Sequence, residues 1–271
     1  MRPILQPHVA PYHGIPTVMN EALIVSAALA ASLLTLISGF GLGTLLLPVF
    51  AIFFPLELAL SMTAVVHLLN NLFKGTLLWR SIDWRVVLRF GVPGILGAWL
   101  GASSFIYFEG LPYLYPGVNN PVSATQVVIG LLMALFAVIE LLPATAKWAV
   151  PPRFLVPGGL LSGFLGGLSG HQGALRSIFL LRYGMSKDAF IATGVAIACL
   201  VDVTRIPIYL REMPLGLLSE RGPLLLATTL AAFFGAWLGK RLIPKITLRG
   251  VQLVVGGLML AIAAALLAGV L

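Results

Sequence analysis

Eight apolar segments, at about residues 21–54, 56–79, 86–107, 123–143, 154–182, 188–210, 222–243 and 250–271, dominate this chain. About 20 apolar residues suffice for a helix to cross a bilayer, and nearly every segment reaches that length. Backbone polar groups find no water in hydrocarbon, so each segment must satisfy its own by forming a helix. The mean hydropathy of +1.02 agrees. So does the 10% share of charged residues, against about 25% in soluble domains. A formal charge of +8 would suit nucleic acid in a soluble protein. Here the basic residues lie mostly between apolar segments, where the positive-inside rule accounts for them. The expected surroundings are therefore a lipid bilayer, and no nucleic-acid partner is expected. Cys199 is the single cysteine, which excludes an internal disulfide framework and a thiolate metal cluster. Residues 1–20 hold Pro3, Pro7, Pro11 and Pro16 and no apolar core. They are expected to form an irregular N-terminal tail rather than a cleaved signal.

Two segments are interrupted by glycines. Residues 163–182 carry Gly163, Gly166, Gly167, Gly170 and Gly173, and set His171, Gln172 and Arg176 among apolar neighbours. Polar groups are costly in hydrocarbon, so an intramembrane arginine beside a glycine-rich break marks a candidate site. The first half holds a counterpart, Ser38-Gly-Phe-Gly-Leu-Gly43, one residue longer than Ser169-Gly-His-Gln-Gly173. Gly97-Ala-Trp-Leu-Gly101 recurs as Gly235-Ala-Trp-Leu-Gly239, and Gln126 to Met133 recurs loosely as Gln252 to Met259. Ala59 and Thr63 match Ala189 and Thr193. The ordered matches indicate a duplicated four-segment unit. It divides the chain into the tail 1–20, a first repeat 21–146, a linker 147–153 and a second repeat 154–271.

Charge counting selects a topology. If all eight segments cross once, lysines and arginines divide eight to six between the two sides, which is no bias. If the first segment of each half is instead a hairpin broken at its glycines, the division becomes eleven to three. The expected architecture is thus an all-α polytopic membrane protein. It has two inverted-topology repeats, each a glycine-broken re-entrant or kinked helical hairpin plus three transmembrane helices. Both termini are expected on the extracytoplasmic side. Long kinked helices are the alternative to hairpins.

Ser38 to Pro48, Ala59-Leu-Ser-Met-Thr63, Asp83-Trp-Arg85 and Gly94 to Ala102 resemble the sulfite exporter TauE/SafE family, also called the toluene sulfonate uptake permease group. The second half resembles it in Gly163 to Gly173, Ala189 to Thr193 and the second GAWLG. The resemblance implies a secondary transporter in the bacterial inner membrane. Its substrate would be a small sulfur-containing anion: sulfite, thiosulfate or an organosulfonate such as sulfoacetate. Two departures bear on substrate identity. Gly41-Leu-Gly43 stands where many members have three glycines, and His171-Gln172 stands where apolar residues or glycine are expected.

Such an anion needs donors, and three cations lie inside apolar segments: Lys74, Arg176 and Arg205. Arginine presents a fork for two oxygens and lysine a point charge. Glycines at a break admit the ligand to the backbone, and helix N-termini there supply free N–H groups. The substrate-binding candidates are therefore Arg176, His171, Gln172, Gly173, Gly41, Gly43, Arg205, Lys74 and Asn71. Each has a plainer alternative. Arg176 and Lys74 can snorkel to an interface. Arg205 can pair with Asp202 three residues earlier, and His171 can be a packed hydrogen-bonding residue. His67 shares the helix face of Asn71. Asp202 and His171 are the candidates for coupling to a proton gradient. Gln126 and Gln252 read as helix–helix hydrogen bonds, and Glu140 as interfacial. Gly97 and Gly101 form a small-xxx-small pair suited to close helix contact, including contact in a homodimer. No P-loop and no H-E-x-x-H appears, so neither an ATP-driven pump nor a metalloenzyme is expected, and no cofactor is. A channel and a carrier for another organic anion are the competing functions.

Overall fold

The computed structural model describes residues 18–38, 42–142, 150–212, 220–242 and 248–271. The elements are α1 (Val18–Ser38), α2 (Leu42–Phe53), α3 (Leu56–Leu78), α4 (Trp84–Glu109), α5 (Ala124–Leu141), α6 (Leu155–Ser169), α7 (Gly173–Leu180), α8 (Lys187–Glu212), α9 (Gly222–Leu242) and α10 (Leu248–Leu267). Among the described residues, α3, α4, α5, α8 and α9 are long and apolar enough to cross a membrane. The 20 residues of α10 rise about 30 Å at 1.5 Å each. Helix α1 starts at Val18, so the irregular tail is shorter than the 20 residues expected.

Local chemistry sets several helix starts. Asp83 caps α4 by accepting hydrogen bonds from the Arg85 and Val86 amides at 3.0 and 3.1 Å. A reciprocal capping box between Ser123 and Gln126 opens α5. Gln126 also donates to the Leu271 carbonyl at 2.8 Å. It therefore ties a loop to the end of the chain, instead of bridging two helices as expected. Tyr115 joins the same clasp by donating to the Leu267 carbonyl.

Both glycine-rich segments divide into two helices, α1 with α2 and α6 with α7. The second pair folds back on itself. Gly158 lies directly under the Phe179 ring, the Val150 amide donates to the Ile178 carbonyl at 3.1 Å, and Ser162 Oγ donates to the Gln172 carbonyl at 3.3 Å. One continuous helix would hold residues 158 and 179 about 30 Å apart. The return arm, α7, has 8 residues, shorter than the expected arm of about 15.

The closest helix docking uses these glycines. Along α6, Gly159, Gly163 and Gly167 sit on the carbonyls of Phe90, Gly94 and Ala98 of α4, while Gly97 and Gly101 of α4 sit on the carbonyls of Leu160 and Phe164. The pairing advances four residues on each helix at every step, so α4 and α6 run parallel. Gly235 and Gly239 of α9 meet Leu29 and Leu33 of α1 in the same way. Within hydrocarbon there is no hydrophobic drive between helices. Close backbone contact gains van der Waals attraction and Cα–H···O bonds instead. Since Gly97 and Gly101 are filled by α6 of the same chain, they are not open to a second copy. Leu88, Val92, Leu96 and Trp99 form the exposed stripe of α4, as a lipid-facing surface requires. Helix α3 packs antiparallel on α8, and α5 on α10.

Candidate functional site

The site begins where α6 stops. Gly170 closes it in the left-handed region at φ +79, a conformation that costs glycine little and other residues more. A helix end leaves carbonyls without partners, and α8 supplies them. Arg205 Nη1 donates to the Gly166 carbonyl at 3.2 Å, and the Tyr209 hydroxyl donates to the Gly167 carbonyl. Arg205 Nε also donates to Asp202 Oδ1 at 2.9 Å, with Nη2 2.8 Å from the same oxygen. The expected i,i+3 pair is therefore present, and Arg205 both neutralises Asp202 and caps the broken helix.

The other carboxylate oxygen reaches across to α3, where His67 Nδ1 lies 2.6 Å from Asp202 Oδ2. Asn71 Nδ2 lies 3.2 Å from His67 Nε2. Asp202 and Arg205 are fully buried, and His67 and Asn71 nearly so. Asp202→Ala would leave the Arg205 charge buried without its counter-ion. Such a loss costs roughly 3–5 kcal/mol, so a large fall in the detergent-solubilised melting temperature is expected, and an unchanged melting temperature would contradict the pairing.

The two breaks meet beside this cluster. A Cβ on Gly43, at the start of α2, would lie 3.5 Å from the Gly170 carbonyl oxygen, 3.7 Å from His67 Cδ2 and 3.7 Å from Thr63 Cγ2. Gly41 lies outside the described residues. After Gly170, His171 stacks on the Phe136 ring of α5, with centroids 5.7 Å apart and planes 11° apart. His171 Nδ1 is 3.3 Å from Ser169 Oγ. Gly173 starts α7, and Arg176 follows within its first turn. Arg176 fits against α8 because Gly194 has no side chain; a Cβ there would lie 3.3 Å from Arg176 Nε.

Several buried polar atoms along the break have no partner: His171 Nε2, both amide atoms of Gln172, Arg176 Nη1 and, on α3, Thr63 Oγ1. Native proteins leave few such groups, because each forfeits its hydration for nothing. Here three consecutive chemistries, an imidazole, an amide and a guanidinium, are concentrated around one break.

Lys74 goes elsewhere. Asn70, oriented so that its amide oxygen faces the amine, lies 3.1 Å from Lys74 Nζ, while its nitrogen lies 3.1 Å from Ser32 Oγ and 3.2 Å from the Ala232 carbonyl. Lys74 therefore belongs to a polar contact between α3, α1 and α9, and the His67–Asp202 pair is on another side of α3. Glu140 is buried on α5 with both carboxylate oxygens unpartnered, not interfacial as expected. His67, Thr63 and Tyr209 carry more of the site than the sequence assigned them. The usable signal for His67 was its i,i+4 spacing to Asn71, which itself aligns with Asp202 in the repeat. Among the described residues, no group of three or more His, Cys, Asp or Glu could hold a metal.

Helices that span a membrane, broken where unpaired anion-binding donors collect, define an integral membrane protein of the transporter class. The chain belongs to the sulfite exporter TauE/SafE family, whose model matches residues 24–266. The family consists of membrane transporters rather than enzymes. No curated protein and no solved structure matches the chain.

Proposed function

We propose that this protein is a secondary transporter that moves a small sulfur-containing anion across the bacterial inner membrane by alternating access, in the export direction. Sulfite, thiosulfate and organosulfonates such as sulfoacetate are the substrates that family membership favours. The observation that carries the reading is the set of buried donors without partners at the second break: Arg176 Nη1, Gln172 Nε2 and His171 Nε2. A tetrahedral or pyramidal oxyanion accepts hydrogen bonds in several directions at once, which this set can supply. Gly173 and Gly43 bring backbone close to the anion, with Gly41 in the same role. Arg205 and Asn71 hold the surrounding cluster in place, and Lys74 acts from the far side of α3.

Two inverted repeats, 21–146 and 154–271 joined by 147–153, are the proposed frame, with residues 1–20 preceding them and both termini extracytoplasmic. Supporting it, exchange of the halves relates α1 on α9 to α6 on α4, both pairs parallel and both built on a GAWLG motif. The reading is tested by counterflow in proteoliposomes with sulfite, thiosulfate, sulfoacetate, isethionate, taurine and a carboxylate control. Saturable exchange of a sulfur anion is expected. Flux that neither saturates nor counter-exchanges would identify a channel, and preference for the carboxylate would identify another organic-anion carrier.

A further inference from the structure

The charges of the site do not balance when it is empty. Arg176 and Arg205 bring two positive charges and Asp202 one negative, and all three are buried. Isolated charge in a low-dielectric interior is costly, so the bound state that can cross between conformations is the one closest to neutral. A monovalent anion supplies that neutrality alone. A divalent anion exceeds it by one negative charge. The structure contains one residue built to make up the difference.

His67 is held at both ring nitrogens. Nδ1 faces Asp202 Oδ2 at 2.6 Å, and Nε2 faces the Asn71 amide at 3.2 Å. A neutral ring donates from Nδ1 to the carboxylate and accepts at Nε2 from the amide N–H. Adding a proton at Nε2 turns that nitrogen into a donor, and rotation of the Asn71 amide presents its oxygen instead. Both protonation states are thus hydrogen-bonded without moving a helix. The charged and titratable neighbours are consistent with this role. From α8, Asp202 touches the ring, Arg205 and Tyr209 lie on the far side of the carboxylate, and Cys199 is one turn away. From the second break come His171, whose contacts are Ser169 and Phe136, and Arg176. Lys74, farther along α3, faces Asn70, and Glu140 of α5 touches none of these groups.

We propose that His67 takes up one proton from water when the bound anion is divalent and none when it is monovalent, so that every turnover moves one net negative charge. This rests on the transport function proposed above and specifies its coupling. An inside-negative membrane potential would then drive export of either kind of substrate.

Thiosulfate, a dianion in neutral water, and isethionate, a monoanion, separate the cases. Calorimetric titration of the solubilised protein in buffers of different ionisation heat counts protons taken up per anion bound. About one proton for thiosulfate and about none for isethionate are expected. His67→Gln should take up about none with thiosulfate and lower the thiosulfate-to-isethionate affinity ratio at least about tenfold, the equivalent of one pKa unit. Asn71→Ala, which removes the acceptor for the added proton, should shift both readings in the same direction. Equal proton uptake for the two anions in wild-type protein would overturn the proposal without any variant. So would a His67→Gln protein that keeps its thiosulfate proton, or one whose affinity ratio does not move. Binding of neither anion by the wild type would instead remove the transport reading itself, and this inference with it.

Discussion

Arg176→Ala is expected to abolish anion flux while the protein still inserts and folds. Arg176 is nearly fully buried, and its Nη1 has no partner. A structural arginine would leave an unpaired carboxylate behind when truncated. This one leaves no unpaired ion, so the empty variant should melt at or above the wild-type temperature. Substrate binding should suffer instead. Truncating one side of a buried, hydrogen-bonded charge pair costs roughly 2–5 kcal/mol, or about 30-fold to a few thousandfold in affinity. Arg176→Lys keeps the charge but loses the two-pronged fork, so only a small part of the flux should return. Arg182, exposed six residues on, provides the control, and Arg182→Ala should transport normally. The measurement is labelled-anion uptake into proteoliposomes, normalised to reconstituted protein. Wild-type flux in Arg176→Ala would remove this residue from the site.

The second large effect is expected at Gly163. A Cβ there would lie within 2.8 Å of three backbone atoms of Gly94, and backbone cannot turn aside as a side chain can. Gly163→Leu must therefore separate α4 from α6. Overpacking of a core side chain usually costs 1–3 kcal/mol, occasionally more. Here the obstacle is a helix backbone, and the same docking positions Gly166, Gly167 and Gly170 for Arg205 and Tyr209. Loss of the monodisperse peak in size-exclusion chromatography of detergent extracts is expected. Gly257, exposed on α10 with open space around it, is the matched control, and Gly257→Leu should elute as wild type. A monodisperse, transport-competent Gly163→Leu protein would contradict the parallel glycine docking.

Much of the architecture was legible because the membrane imposes a coarse rule that apolar segments obey. Segment 56–79 became α3 and segment 222–243 became α9, each within a residue or two. The breaks were legible through their glycines, and the Asp202–Arg205 pair through a spacing of three on one helix. Other features needed the fold. Gln126 was read for what a polar residue does inside a membrane helix, yet it lies at a helix start, where caps and chain ends compete for it. Lys74 aligns with Arg205 in the repeat but has Asn70 beside it, so the same helical position leads to a different partner. Gly97 and Gly101 announced close contact without naming the contacting surface.

The sequence by itself determined that this chain is a bundle of membrane helices, that two of its segments break, and that the second break carries imidazole, amide and guanidinium where the first carries glycine and apolar residues. These are local properties, set by composition, by backbone permissiveness and by spacings within one helix. Only the tertiary structure decided that His67 meets Asp202 across 135 positions of sequence, that α8 caps the end of α6, and that Gly43 meets Gly170. Those contacts depend on which faces the glycine ladders press together and at what register. No single segment encodes that, because each ladder is complete only when the partner backbone lies in it.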